Sequence, residues 1–251
     1  MFDIEVRKIK DMDLEGGTII EGFPSVGLVS TIVATYLIDF LKLDQISALD
    51  SDAFPPTSMI YASKPKFPAR IYASDKYKIG VFLSEFTPPA PLYRPIARKL
   101  LEWCKEQKCK RIISTEGLPS KKKFKEEIGK YKFKTKIYGI GSNDRARKEL
   151  IKAKINQLNV GMIYGLSGVL LNEGRWNDFD VITILAEAHS DIPDAYAAAK
   201  ILETLDLLIH NLNIETSPLY QESKRFEEQL KFLREQAKSP ESDFQHGIMY
   251  Y

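Results

Sequence analysis

The chain has 251 residues, 44% of them hydrophobic and 28% charged, and a formal net charge of +2. This composition belongs to a folded protein with enough apolar residues for a substantial core, and it excludes general disorder. Charge so nearly balanced gives no whole-molecule drive towards nucleic acid or membrane.

The chain opens Met1-Phe2-Asp3-Ile4-Glu5, without the basic start and apolar run of a secretion signal, and no apolar run reaches the roughly 18 residues of a membrane span. A cytoplasmic location is the expectation. Thr18-Ile19-Ile20-Glu21 reads as a strand ending at Gly22, and from Val26 to Leu41 the apolar positions Val29, Val33, Tyr36, Leu37 and Phe40 fit a helix. Strand, glycine loop and helix form one unit. Ile60 to Ser63, Arg70 to Ala73 and Lys78 to Leu83 read as further strands between proline and lysine turns. Pro91 to Gln107 carries Leu92, Ile96, Leu100 and Trp103 on one helical face, and the short buried strand Arg111-Ile112-Ile113-Ser114 follows. The only cysteines, Cys104 and Cys109, lie on or just after this helix and lack the further Cys or His ligands of a zinc site. Reduced thiols that fill space are expected there, and no metal.

From Lys121 to Lys136 eight lysines stand against Glu126 and Glu127, interleaved with Phe124, Tyr131 and Phe133. A patch tracking a nucleic-acid backbone is one reading. It contains no arginine, and Tyr131 to Ile137 alternates as a strand with one wet face does, which accounts for Lys132, Lys134 and Lys136, three of the eight lysines. No nucleic-acid partner is expected, although the same charge suits steering to an acidic protein surface. Phe179 to Ala186 is a nearly continuous apolar strand, and Asp194 to His210 follows as a helix with Pro193 ahead of it. The alternation of strands and helices over residues 1–215 predicts an α/β layered domain.

Beyond this core, residues 216–238 read as an amphipathic helix with Leu219, Phe226, Leu230, Leu233 and Ala237 on one stripe. The stripe packs on its own domain or assembles identical subunits. Residues 239–251 have a proline, a glycine and small polar residues but no apolar periodicity, and they predict a tether. It ends in Met249, Tyr250 and Tyr251: an aliphatic residue, a penultimate tyrosine and a carboxylate. Tyrosine gives a large ring with few torsions to freeze, and peptide carboxylates are captured by lysines or backbone N–H groups. The tail therefore reads as a partner-binding motif.

Inside the core, the loop Gly22-Phe23-Pro24-Ser25-Val26-Gly27 lacks the lysine and hydroxyl of a Walker loop and the spacing of a dinucleotide fingerprint. Gly22, Pro24 and Gly27 are expected to shape a tight turn that seats the following helix on the sheet. Gly165-Leu166-Ser167-Gly168-Val169 is not a nucleophile elbow, because Val169 stands where that motif requires glycine. Gly165 and Gly168 are read as loop glycines, and Ser167 as a residue that caps or packs a helix. Glu187, His189, Asp191 and Asp194 cluster after a central strand, where open α/β sheets commonly bind ligands. Acid–base catalysis on a small substrate near Glu187 and His189 is the rival function. No nucleophile or metal set stands beside them at diagnostic spacing, and Asp194 has a simpler place at a helix start.

Taken in order, Gly22 to Leu28, Glu116-Gly117-Leu118-Pro119, Tyr138-Gly139-Ile140-Gly141-Ser142-Asn143, Gly165 to Leu171, and Ala186-Glu187-Ala188-His189 with Pro193-Asp194 resemble the proteasome-assembly chaperone family, including its archaeal members. The likeness spans about Gly22 to Leu212. The hydrophobic-Tyr-any ending at Met249, Tyr250 and Tyr251 is similar to the tails of the archaeal members. The resemblance implies a three-layer α/β/α sandwich similar to purine nucleoside phosphorylases, without known catalysis and with no cofactor. It further implies a homo-oligomer whose partners are proteasome α-subunits or the core particle, with Met249 and Tyr250 filling an apolar slot between neighbouring α-subunits and the Tyr251 carboxylate meeting a lysine. One departure is Ser25, where the family often has a second glycine.

Overall fold

The computed structural model describes residues 3–120, 135–209, 212–225 and 228. In chain order its elements are strands β1 (Glu5–Lys8) and β2 (Thr18–Gly22), helix α1 (Val29–Phe40), strands β3 (Asp44–Asp50), β4 (Met59–Tyr61), β5 (Lys64–Lys66), β6 (Ala69–Ser74) and β7 (Ile79–Ser84), helix α2 (Tyr93–Glu106), strands β8 (Arg111–Pro119) and β9 (Ile137–Gly141), helices α3 (Asp144–Lys152) and α4 (Gly165–Trp176), strand β10 (Asp180–Ala188) and helix α5 (Ala195–Leu208). Residues 217–225 are also helical.

Eight strands form one mixed sheet in the order β1-β3-β6-β7-β2-β8-β10-β9. The central four, β7, β2, β8 and β10, run parallel, and the outer strands join them antiparallel. A parallel strand covered on both faces needs apolar residues at consecutive positions, and every residue of β2 and β7 is buried. The period of two then sends alternate side chains to opposite faces. Ile20, Ile113 and Ile182 enter one core with Val33 and Leu37 of α1, Leu150 of α3 and Leu202 of α5. Their neighbours Ile19, Ile112 and Val181 enter the other, with Ile96 and Leu100 of α2 and Leu166 and Leu170 of α4. Helices therefore cover both faces, as the α/β reading expects. Among the described residues no helix is long and apolar enough to cross a membrane.

Gly22 shows why α1 sits so close to the sheet. A Cβ at this position would lie 2.2 Å from that of Ala34, so only glycine lets helix and strand meet here.

Several elements depart from the sequence reading. Ile60 to Ser63 is not one strand: β4 stops at Tyr61, because Ala62 and Ser63 turn with positive φ (48° and 61°) into β5. Tyr61 then donates its hydroxyl to Glu85, which grips the buried Arg70 with both carboxylate oxygens. Strand β8 continues five residues past Ser114, since β10 pairs with it in register to Ala188 and Pro119. Of Tyr131 to Ile137, residues 131–134 lie outside the described residues and only Ile137 is in a strand, as the start of β9. Cys104 and Cys109 are buried free thiols, and burial pushes the Cys104 thiol up from its ordinary pKa.

Candidate functional site

Strands β2, β8 and β10 end at the same edge of the sheet, and the glycine, proline and acidic motifs gather there. From β2 the chain passes through Phe23, Pro24 and Ser25 into a single 3-10 turn, Val26–Leu28, that leads into α1. Gly27 within that turn has φ +63°, and a Cβ on it would stand 2.7 Å from the His189 carbonyl oxygen and 3.2 Å from the Asp194 Cβ. The Gly27 carbonyl accepts the Asp194 N–H at 2.8 Å. The first loop is thus bonded to the loop after β10, whose backbone packs against Gly27.

The cluster read as a rival catalytic site is divided by the fold. Asp194 is the N-cap of α5: its Oδ1 accepts the Ala197 N–H at 2.9 Å. Its Oδ2 accepts the His189 N–H at 3.0 Å and lies 2.7 Å from His189 Nδ1. Burial pushes the Asp194 carboxyl up, but the His189 side chain and the Ala197 and His189 N–H groups outweigh it and hold the carboxyl below its usual range. Glu187 is half-buried on β10, 3.8 Å from Lys136 Nζ, and Asp191 is exposed. His189 and Asp194 meet, while Glu187 and Asp191 join neither of their bonds. A cap and a tethered loop account for the pair.

A second constellation was not read from the sequence. Glu21 on β2 and Ser114 on β8 are register partners. The Ser114 hydroxyl lies 2.5 Å from Glu21 Oε2 and 2.7 Å from the hydroxyl of Ser167, which bonds Glu116 Oε2 at 2.9 Å. Ser167 is therefore not a cap: buried on α4, it packs the helix on the sheet and bonds it to β8, reaching Glu21 of β2 through Ser114. Burial pushes the Glu21 carboxyl up to about 7 against the hydrogen bonds from Ser114, Phe23 and Ser167. Glu116 is pushed up to about 8, by burial first and then by the charge of Glu21. The one signal in sequence was a glutamate closing the otherwise apolar run Thr18-Ile19-Ile20. Gly165 and Gly168, read from the sequence as loop glycines, instead lie in α4: Gly165 begins it with φ +72°, and Gly168 follows within its first turn.

Elsewhere, a cavity of about 320 Å³ lies between Asp3, Glu5, Arg7, Asp50 and Asp52 at the far edge of the sheet. Arg7 pairs there with Glu5 and Asp50, and none of the motif residues reaches it.

The start of the C-terminal segment is fixed to the α1 and α5 face. Leu219 is 4% exposed and belongs to the core with α1, α3 and α5. Tyr220 stacks edge-on against Tyr196 at 5.2 Å and donates its hydroxyl to Glu203, while Tyr36 donates to the Glu215 carbonyl. Burial, then the hydrogen bond to Glu203, pushes the Tyr220 hydroxyl up to about 12. Leu219 thus takes the first of the two placements that the stripe allowed, packing on its own domain. Phe226, Leu230 and Leu233 lie outside the described residues, as do Met249, Tyr250 and Tyr251.

Comparison with known proteins gives a consistent picture. The PAC2 family model matches residues 19–234. PbaA of Pyrococcus furiosus, an archaeal homologue of proteasome-assembly chaperone, superposes with a TM-score of 0.82 at 31% identity, over 94% of this chain and 93% of that one. PbaB of the same organism, an archaeal proteasome activator, shares the fold with a TM-score of 0.76 at 21% identity, over 93% of this chain and 100% of the other. An uncharacterised protein of Methanocaldococcus jannaschii is 28% identical over 234 residues, 92% of this chain and 90% of its own length.

Proposed function

The chain belongs to the PAC2 family, and from that premise we propose that it is a non-catalytic assembly chaperone or docking factor for proteasome α-subunits, acting through its C-terminal tail. The likeness to PbaA over almost the whole of both chains carries the reading. In support, Met249, Tyr250 and Tyr251 have the hydrophobic-Tyr-any pattern seen in the archaeal members the sequence resembles. Met249 and Tyr250 supply the apolar anchor, and the tyrosine hydroxyl supplies a directed hydrogen bond. Copies of the tail on a homo-oligomer act together, because each engaged tail raises the effective concentration of the next. Weak single contacts then suffice.

The rival enzyme reading near Glu187 and His189 has less support, since His189 and Asp194 already serve the α5 cap and the Gly27 loop. The partner reading is tested with purified α-subunits and the full-length chain. Tyr250→Ala is expected to weaken binding by about 30-fold, the scale of an aromatic hot spot worth about 2 kcal/mol. Removal of the last three residues is expected to abolish ring assembly in the same mixture. Binding and assembly equal to the parent in both variants would remove the tail from the mechanism.

A further inference from the structure

The chain from the buried Glu21 to the half-buried Glu116 has more links than hydroxyl hydrogens. Its three links are Glu21 Oε2 to Ser114 Oγ, Ser114 Oγ to Ser167 Oγ and Ser167 Oγ to Glu116 Oε2, at 2.5, 2.7 and 2.9 Å. Each hydrogen bond uses one hydrogen, each serine hydroxyl owns one, and an ionised carboxylate owns none. Two hydroxyls serve two links. The third hydrogen must come from a carboxyl, so the complete chain contains one protonated glutamate.

Two arrangements satisfy the geometry. With the proton on Glu21, the hydroxyls of Ser114 and Ser167 point in turn towards an ionised Glu116. With the proton on Glu116, both hydroxyls reverse and Glu21 is the anion. Either end is supported by backbone donors that do not move: the Phe23 N–H to Glu21 Oε1 at 2.8 Å, and the Gly117 and Val26 N–H groups to Glu116. We propose that Glu21 and Glu116 share one proton through Ser114 and Ser167, and that this proton latches the first turn of α4 to the ends of β2 and β8, releasing it as pH rises.

The joint that parts is the one at Ser167, the only member of the chain outside the sheet. Loss of the last proton leaves the buried Glu21 and the half-buried Glu116 as two carboxylates repelling each other with one link unmade, and a hydrogen bond left unmade away from water is expensive. The groups facing the pair are Ser114 and the two glutamates on the strands, Ser167 on α4, the Phe23 and Val26 N–H groups of the first loop, and Tyr93 at the start of α2. The Tyr93 hydroxyl is raised by burial and then by the charge of Glu116. Directly before α4 lie Val160, Met162 and Tyr164, which are 89%, 73% and 74% exposed. The latch therefore sets how firmly an apolar surface segment is held.

The sign follows from both carboxyls standing above their ordinary value of about 4.5 in the folded chain, at about 7 and about 8. The bound proton stabilises the fold fully below about pH 4.5, and that contribution is lost as pH rises through about 7 to 8. Each proton held by the folded chain and not by the unfolded one shifts the folding equilibrium about tenfold per pH unit in that window.

The test uses the full-length chain. With ¹³C-labelled glutamate, the carboxyl titration followed by NMR is expected to show one carboxyl of the Glu21–Glu116 pair protonated and the other ionised at about pH 7.5, between their two values; two ionised carboxyls at that pH would overturn the proposal. Amide exchange over residues 165–170, corrected for intrinsic rate, is expected to quicken at least about tenfold between pH 6 and pH 9. In E21Q the amide N–H supplies the missing hydrogen at every pH, so the acceleration is expected to fall below about threefold. An E21Q profile as steep as the parent's would overturn the proposal. Should E21Q not fold, the parent's NMR titration decides alone.

Discussion

Arg111→Met is expected to destabilise the fold by about 3 kcal/mol, measured by denaturant unfolding, against less than about 1 kcal/mol for the neighbouring Lys110→Ala. Both cations pair with Glu149, Lys110 at 2.6 Å and Arg111 at its other oxygen, so a count of ion pairs predicts equal effects. Burial separates them. The Lys110 side chain is 52% exposed and that of Arg111 only 7%. Arg111 also donates Nε to Thr18 Oγ1 at 3.0 Å and Nη2 to the Leu208 carbonyl at 2.7 Å. Leu208 is the last residue of α5, where a cation meets the negative end of the helix and a carbonyl of its last turn. One guanidinium thereby ties β8 to β2, α3 and α5. Methionine keeps the volume of the stem but leaves those buried acceptors without donors, and that loss sets the magnitude. Equal losses in the two variants would show that Arg111 is merely a surface partner of Glu149.

Gly27→Ala is expected to cost about 3 kcal/mol, and Gly165→Ala about 1 kcal/mol. The two glycines share a left-handed backbone, with φ of +63° and +72°, so the conformational penalty of a Cβ is the same. They differ in the room around them. At Gly165 a Cβ meets nothing within 4 Å, whereas at Gly27 it meets the His189 carbonyl at 2.7 Å. The difference between the two variants, read from their unfolding midpoints, isolates the packing of the first loop on the loop after β10. If the two cost the same, that packing contributes nothing to stability.

How far the sequence could be read depended on whether the cause of a feature was local. Strand β10 and helix α2 were legible because their apolar residues recur over many positions, and Pro193 with Asp194 marked the start of α5. Helix α3 was not, since Asp144–Lys152 is rich in charge and buries only Ala146 and Leu150, with Asn143 capping it. The extension of β8 through Glu116-Gly117-Leu118-Pro119 was hidden because its strand geometry comes from β10 alongside, not from its own composition. The positive φ of Ala62 and Ser63 broke a predicted strand at residues that seldom turn that way. At the site, Gly22, Gly27 and Asp194 were found with the roles their residue types suggest. The relay was missed because Glu21 and Ser114 stand 93 positions apart, and Ser114 and Ser167 another 53. No window of sequence shows that contact. The tail motif was legible only as chemistry, because Met249, Tyr250 and Tyr251 lie outside the described residues.

The proposed mechanism requires that the ring of residue 250 rest against an α-subunit. A photo-reactive phenylalanine analogue in place of Tyr250, in the full-length chain mixed with purified proteasome α-subunits, reports what that ring touches. The account predicts a covalent adduct joining the two proteins, suppressed by an excess of a free peptide carrying the same last residues. An adduct confined to this chain, with the α-subunits still bound, would contradict it.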